Sequence, residues 1–307
     1  MMNTPLSRIT PAIPAWPCYL NGEFSNLREA RVSVLDRAFL FGDAIYDVVP
    51  AYDGRLFLFD QHMARLERGL VEMRISNPLT RAAWRELAEE LLAQHAVADP
   101  HDGGVRRQLV YFQVSRGAAM REHAMPSDLA PTVFGMANRM PVPSPEQRRQ
   151  GVECISAEDF RWRMAHLKST SLLGAVFSKQ LSVDAGVADT IMFRDNLLSE
   201  ASASNVWIVK SGRVIGVPKS HLALEGIRYS LLETICQDEG LPFVLREVTR
   251  AEVFDADEVI LSSAVKELLP VVQLDRQRIG TGQPGGVFKR LYAGYERAVA
   301  RTAAVPD

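Results

Sequence analysis

Lys168 lies in RWRMAHLKSTSLLGAVFSKQ (161–180), at the junction of a run that reads as extended and a run that reads as an apolar helix. Only six of the 35 basic residues are lysines, so the surface charge of this chain is carried mostly by arginine. Leu167 precedes Lys168, and Leu172, Leu173, Ala175, Val176 and Phe177 follow it. An ammonium that is poorly solvated gives up its proton more easily, and the neutral amine is a nucleophile and a base. The alternative is a lysine whose stem crosses apolar surface while its head reaches water. By itself the stretch fits that alternative better, because covalent lysines are rare among all lysines. Other residues with chemical potential are as ambiguous alone. Glu200 in SEASASN (199–205) reads as a loop acid and Arg65 in HMARL (62–66) as a helix-surface charge. Arg121 and His123 lie two apart, so on an extended segment both side chains point to one side and can converge on an anion.

The elements that must position these residues follow from turn and cap signals. Asn21-Gly22 in CYLNGEF and Asp53-Gly54 between Asp43 and Asp60 are two-residue hairpin turns. Asp60 is the expected N-cap of a helix burying Met63, Leu66, Leu70 and Met73, and Thr80 that of a helix burying Trp84, Leu87, Leu91 and Leu92. Residues 107–115 and 132–137 read as strands. Pro141, Pro143 and Pro145 followed by EQRRQ mark a linker. Beyond it the chain predicts strands at 152–157, 190–194, 243–248 and 258–262 and a hairpin over 205–217 turning at Ser211-Gly212. Helices are predicted over 170–183, 226–237 and 285–301. The expected organisation is an N-terminal arm (1–17), a small α+β domain (18–138), a linker (139–148) and a larger α/β domain (149–307), with a ligand cleft between the domains.

Composition narrows the function. With 307 residues, 47% hydrophobic content, 23% charged residues and a net charge of −2, the chain has the profile of an ordinary globular protein and lacks the basic surface of a nucleic-acid binder. Cys18, Cys154 and Cys236 are odd in number and lack CxxC spacing, which argues against a disulfide framework or a zinc site and suits a reducing cytoplasm. The proline-rich first 17 residues have no signal-peptide core, and no stretch approaches the roughly 18 apolar residues of a membrane span.

Taken in order, FGDAIYDVV (41–49), HMARL, YFQVSRGAAMREH (111–123), the Lys168 stretch, SEASASN and EGIRYSLLE (225–233) resemble the class IV pyridoxal-phosphate aminotransferases. Within that family they are most similar to the D-amino acid aminotransferases, from about Cys18 to Ala298. The resemblance implies a mixed α/β, two-domain enzyme of fold type IV with pyridoxal 5'-phosphate in the cleft between domains. It puts the cofactor's Schiff base on Lys168, whose freed amine then moves the substrate α-proton. Glu200 is implied to meet the pyridine nitrogen and keep it protonated, which makes the ring an electron sink. Arg65, Ser263 and the helix start at Gly226 and Ile227 are implied to hold the phosphate, where backbone N–H groups and the helix dipole favour an anion. Leu224 resembles the family leucine that packs against the ring. Tyr46, Arg121 and His123 are implied to hold the substrate carboxylate, with Arg121 and His123 reaching the neighbouring subunit's site in a homodimer. The implied reaction is a ping-pong transamination of the type D-alanine plus 2-oxoglutarate to pyruvate plus D-glutamate.

Four positions depart from the family pattern. Arg228 and Ala264 stand where threonines of the phosphate cup are usual, Ala201 where a glycine follows the cofactor glutamate, and Asp47 for a glutamate. An alanine at 201 would be strained if that turn needs positive φ. Two other activities of the family, branched-chain L-amino acid transamination and aminodeoxychorismate lysis, share Lys168 and Glu200, and the Arg121/His123 pair favours the D-amino acid reading over them. The altered phosphate cup also leaves room for a relative that binds without turnover.

Overall fold

The computed structural model describes residues 13–100 and 105–304. The chain forms two compact units: one runs to Met140 and takes back Lys168–Ser171, and the other comprises Pro141–Leu167 and the chain from Leu172 onward. The arm expected over 1–17 falls outside the described residues up to position 12.

The first unit comprises β1 (Pro17–Leu20), β2 (Glu23–Asn26), α1 (Arg37–Phe41), β3 (Ala44–Tyr52), β4 (Arg55–Leu56), α2 (Phe59–Glu72), α3 (Arg81–Ala98), β5 (Arg107–Ser115) and β6 (Thr132–Arg139). Its sheet has the order β2-β1-β6-β5-β3-β4 and is antiparallel throughout. The hairpin turns fall at the two predicted dipeptides, with positive φ at Asn21, Gly22, Asp53 and Gly54. Helices α2 and α3 bury the faces that their periodicity predicts: Met63, Leu66 and Leu70 from one, Trp84, Leu91 and Leu92 from the other. Trp84 packs on Phe112 of β5 with ring centroids 4.9 Å apart. Thr80 caps α3 by accepting from the Ala83 N–H at 3.2 Å. Asp60 does not cap α2. That helix starts two residues earlier, after Leu58 in left-handed backbone, and Asp60 sits in its first turn, where a carboxylate still favours the helix dipole.

The second unit comprises α4 (Pro145–Gln150), β7 (Val152–Glu158), α5 (Leu173–Asp184), β8 (Asp189–Arg194), β9 (Leu197–Ala201), β10 (Asn205–Lys210), β11 (Arg213–Gly216), α6 (Arg228–Asp238), β12 (Phe243–Leu245), α7 (Arg250–Phe254), β13 (Glu258–Ser263), β14 (Glu267–Leu274), β15 (Gln277–Arg278) and α8 (Gly286–Ala304). Its mixed sheet runs β12-β11-β10-β13-β14-β7-β8-β9, with β15 on β14. β7 and β8 pair in parallel and are joined through α5, a βαβ unit, whereas β8–β9 and β10–β11 are antiparallel hairpins. Ile191, Phe193, Val206, Ile208, Leu261, Leu269 and Val271 fill the core. The segment expected as a linker carries α4, capped by Ser144 in a reciprocal box with Gln147. No helix among the described residues is long and apolar enough to cross a membrane.

Candidate active site

In the first unit the site is built on β3. β4 pairs only with Ala51 and Tyr52 at the far end of β3. The near end is bordered instead by Lys168–Thr170: the Tyr46 N–H donates to the Lys168 carbonyl at 2.9 Å and the Thr170 N–H to the Ala44 carbonyl at 3.0 Å. Lys168 is therefore fixed by backbone pairing to the strand that carries Tyr46 and Asp47. Its Nζ stands 4.1 Å from the centre of the Tyr46 ring, which itself stacks on Tyr111 at 5.6 Å. Lys168 is half-buried, but the apolar run after it does not supply the shielding: Leu173, Val176 and Phe177 of α5 are 69%, 59% and 59% exposed.

Asp47, next to Tyr46, is fully buried and gathers the cationic groups of α2. It accepts from Arg65 Nε at 2.9 Å, from Arg65 Nη2 at 2.8 Å and from His62 Nδ1 at 2.7 Å. Burial pushes its pKa up, but the charges of Arg65 and His62 and their hydrogen bonds outweigh it and hold the carboxyl well below the usual range. Arg65 is thus not a surface charge; its side chain is 10% exposed and forked onto Asp47.

Arg121 and His123 lie on bends rather than on an extended strand, and both are exposed. What brings them together is Phe41 at the end of α1. The Arg121 guanidinium lies 5.5 Å from the Phe41 ring centre and the His123 ring 5.5 Å from it. Arg37 of α1 donates to the Glu122 carbonyl at 2.6 Å, anchoring the residue between them.

In the second unit Glu200, Asn205, Leu224 and Gly226 converge. Glu200 accepts from the Leu224 N–H at 3.2 Å, and Asn205 Nδ2 donates to the Leu224 carbonyl at 2.8 Å. A Cβ at Gly226 would fall 2.0 Å from Asn205 Oδ1, so any side chain here would have to push Asn205 aside. The next residue, Ile227, opens α6, and no side chain caps that end. The bare backbone at Gly226 and a helix start without a side-chain cap fit a phosphate. Ser263 ends β13, and its hydroxyl accepts from the Lys266 N–H at 3.0 Å. Lys266 Nζ pairs with the buried Asp189 and donates to Ser204 at 2.8 Å, which ties the Ser263 turn to the Glu200 loop.

Glu200 is buried and also meets Arg161 Nη1 through Oε1. Burial raises its pKa, with Arg161 and the Leu224 N–H acting against the rise. Arg228 is sequestered: it is 2% exposed, and its Nη2 donates to the Tyr295 hydroxyl of α8 at 3.1 Å. Ala201 ends β9, its N–H donating to the Ser204 carbonyl at 2.7 Å, and needs no positive φ.

Asn205, Asp47, His62 and Arg161 were not assigned roles from sequence. The contacts that matter most here, His62 with Asp47 and Arg161 with Glu200, span 15 and 39 residues, beyond the reach of local pattern. All four lie within the motifs quoted above, which marks the stretches they belong to but not their partners.

The fold of these units and the residues they gather describe a type IV aminotransferase fold. Residues 44–274 match the family described as amino-transferase class IV, and the chain belongs to that family of enzymes. It is 34% identical over 282 residues to the D-alanine aminotransferase of Staphylococcus epidermidis, covering 92% of this chain and 97% of that one. It is also 34% identical over 280 residues to the D-alanine aminotransferase of Bacillus licheniformis, covering 91% and 95%. Among solved structures, a T.th. branched-chain amino acid aminotransferase with pyridoxamine 5'-phosphate superposes with a TM-score of 0.83 at 23% identity, covering 95% of this chain and 96% of that one. The Escherichia coli branched-chain amino acid aminotransferase gives 0.81 at 20% identity, covering 91% and 92%.

Proposed function

We propose that this aminotransferase uses pyridoxal 5'-phosphate to exchange the amine of D-amino acids with α-keto acids, in the manner of D-alanine plus 2-oxoglutarate to pyruvate plus D-glutamate. The observation that carries the reading is Lys168, held by backbone pairing to β3 with its ammonium over Tyr46, in a chain about a third identical to D-alanine aminotransferases along nine-tenths of its length.

The cofactor supplies an aldehyde that condenses with amines and a ring that takes up the electrons of a broken Cα–H bond. Lys168 Nζ would hold that aldehyde and, when freed by a substrate amine, would be the base that carries the α-proton. Arg65, the N-terminal end of α6 at Gly226 and Ile227, and the Ser263 hydroxyl would hold the phosphate, and Leu224 would back the ring. Asp47 fixes the Arg65 fork. Glu200 offers its carboxylate to the ring nitrogen. Tyr46, Arg121 and His123 take the substrate carboxylate, and the stereochemical preference follows from the side on which they hold it.

Arg121 and His123 serve the partner's site in a homodimer. The apolar row on α5 supports such an association: Leu173, Val176, Phe177 and Leu181 recur at helical spacing on an exposed face, a pattern that marks interaction surfaces. A reducing cytoplasm suits the three buried, unpaired cysteines, two of whose thiols, Cys154 and Cys236, are pushed up to about 12 by burial.

The test compares initial rates with D-alanine and L-alanine in the wild type and in Arg121→Ala. The wild type is expected to favour the D-isomer and the variant to lose most of that rate; equal or faster turnover of L-alanine sinks the substrate assignment. In parallel, borohydride reduction of the cofactor-loaded chain should attach the cofactor to the Lys168 peptide, and Lys168→Ala should carry none.

A further inference from the structure

The segment between β7 and α5 inverts the usual order of burial. Phe160 and Trp162 are 54% and 46% exposed, while the Arg161 side chain between them is only 10% exposed. A segment packed for apolar burial alone would turn the two aromatics in and the guanidinium out. What Arg161 meets inside is charge. Its N–H, Nε and Nη2 donate to the Asp159 carboxylate at 3.1, 2.9 and 2.9 Å. Arg194 Nη2 steadies both partners, 3.1 Å from Asp159 Oδ2 and donating to the Arg161 carbonyl at 3.0 Å. The remaining Nη1 points at Glu200 Oε1. Gly174, in the first turn of α5, makes the room, since a Cβ there would stand 2.9 Å from Arg161 Cγ.

This arrangement does specific work on Glu200. Burial drives the carboxyl toward its neutral form, nearby Asp159 pushes the same way, and the Arg161 charge opposes both. A neutral acid at this place would leave the ring nitrogen without a counter-charge and weaken the ring as an electron acceptor. The carboxylate can serve Arg161 and the ring together, because its two oxygens offer about four acceptor positions. We propose that Arg161, gripped by Asp159 and Arg194, is a positioning residue that keeps Glu200 ionised and aimed at the cofactor's pyridine nitrogen, an inference that rests on the assignment of Glu200 given above.

The test reads cofactor binding rather than turnover. Dissociation constants of the full-length apo chain are measured for pyridoxal 5'-phosphate and for its 1-deaza analogue, in which carbon replaces the ring nitrogen. The wild type should prefer the natural cofactor by about tenfold or more, the worth of one charge-assisted hydrogen bond, and Glu200→Gln should erase that preference. Arg161→Leu should lose most of the preference while binding the deaza analogue within about threefold of wild type, and Arg161→Lys should regain part of it. Gly174→Ala, which crowds the guanidinium without removing it, should show a partial loss and stands in if Arg161→Leu fails to fold. The inference is overturned if Arg161→Leu keeps the wild-type preference, if it weakens both ligands alike as a merely structural residue would, or if the wild type itself has no preference. If the wild type binds neither ligand, the cofactor assignment falls and takes the inference with it.

Discussion

Asp47 in the first unit and Glu200 in the second are both buried carboxylates with an arginine against them, yet their proton affinities move in opposite directions. The difference lies in how fully each is neutralised. Asp47 accepts two hydrogen bonds from Arg65, one from His62 and one from the Val48 N–H, so its acceptor positions are filled and burial is outweighed. Glu200 receives one N–H from Arg161, one from Leu224 and a distant amide, Asn205 Nδ2 at 3.5 Å, and burial prevails. Asp47 is a finished strut that holds Arg65. Glu200 is under-compensated, and one more cationic donor, such as a protonated pyridine nitrogen, would complete it.

Breaking the strut should have the largest effect. Asp47→Asn removes the buried carboxylate charge that Arg65 and His62 share and should cost about 3–5 kcal/mol in urea unfolding at pH 7. Because the folded pKa of Asp47 is depressed, its contribution is present above the unfolded value of about 3.9 and is lost as pH falls toward the folded value, so the gap between wild type and variant should close in acid. A cost under about 1 kcal/mol at pH 7 would mean that Arg65 does not depend on Asp47. Glu200→Gln should do the reverse, leaving the urea midpoint nearly unchanged while turnover falls about 10²–10³-fold. Its raised folded pKa makes the wild-type apo chain most favoured below the unfolded value of about 4.3 and less so as pH rises through the folded value, and the variant should lack that decline. Equal stability losses in the two variants would erase the distinction. The smallest effect is expected from Gly226→Ala, which forces Asn205 aside and should cost about 1–3 kcal/mol of stability with weaker cofactor binding in the same preparation.

The sequence made most of the fold legible where local chemistry decides it. Asn21-Gly22, Asp53-Gly54 and Ser211-Gly212 each adopt the positive-φ turn their types favour, and the apolar faces of α2 and α3 are buried as their spacing requires. The strands missed were those whose composition disguises them. β14 carries Pro270, which argues against an interior strand, but its pairing with β7 begins only at Val271, so the missing N–H breaks no bond there. β9 is short and holds the polar residues Ser199 and Glu200, both buried. Of the site, the ordered motifs indicated which residues to watch, whereas the partners that set their electrostatics, Asp47 with Arg65 and Arg161 with Glu200, come together only through the tertiary fold. The run after Lys168 was misleading because its hydrophobicity is displayed on α5 rather than packed around the lysine.

The border that Lys168–Thr170 forms along β3 also sets a timetable. The Asn21-Gly22 and Asp53-Gly54 hairpins close between near neighbours, while the pairing of Tyr46 with Lys168 spans a long stretch of chain holding several helices and strands, an entropic cost that delays contacts of high sequence separation. On a ribosome, β3 leaves the exit tunnel well before the lysine does. Lys168 is therefore placed on β3 only after the local hairpins can close, so a partly folded first unit can have its hairpins without the Lys168–Thr170 border.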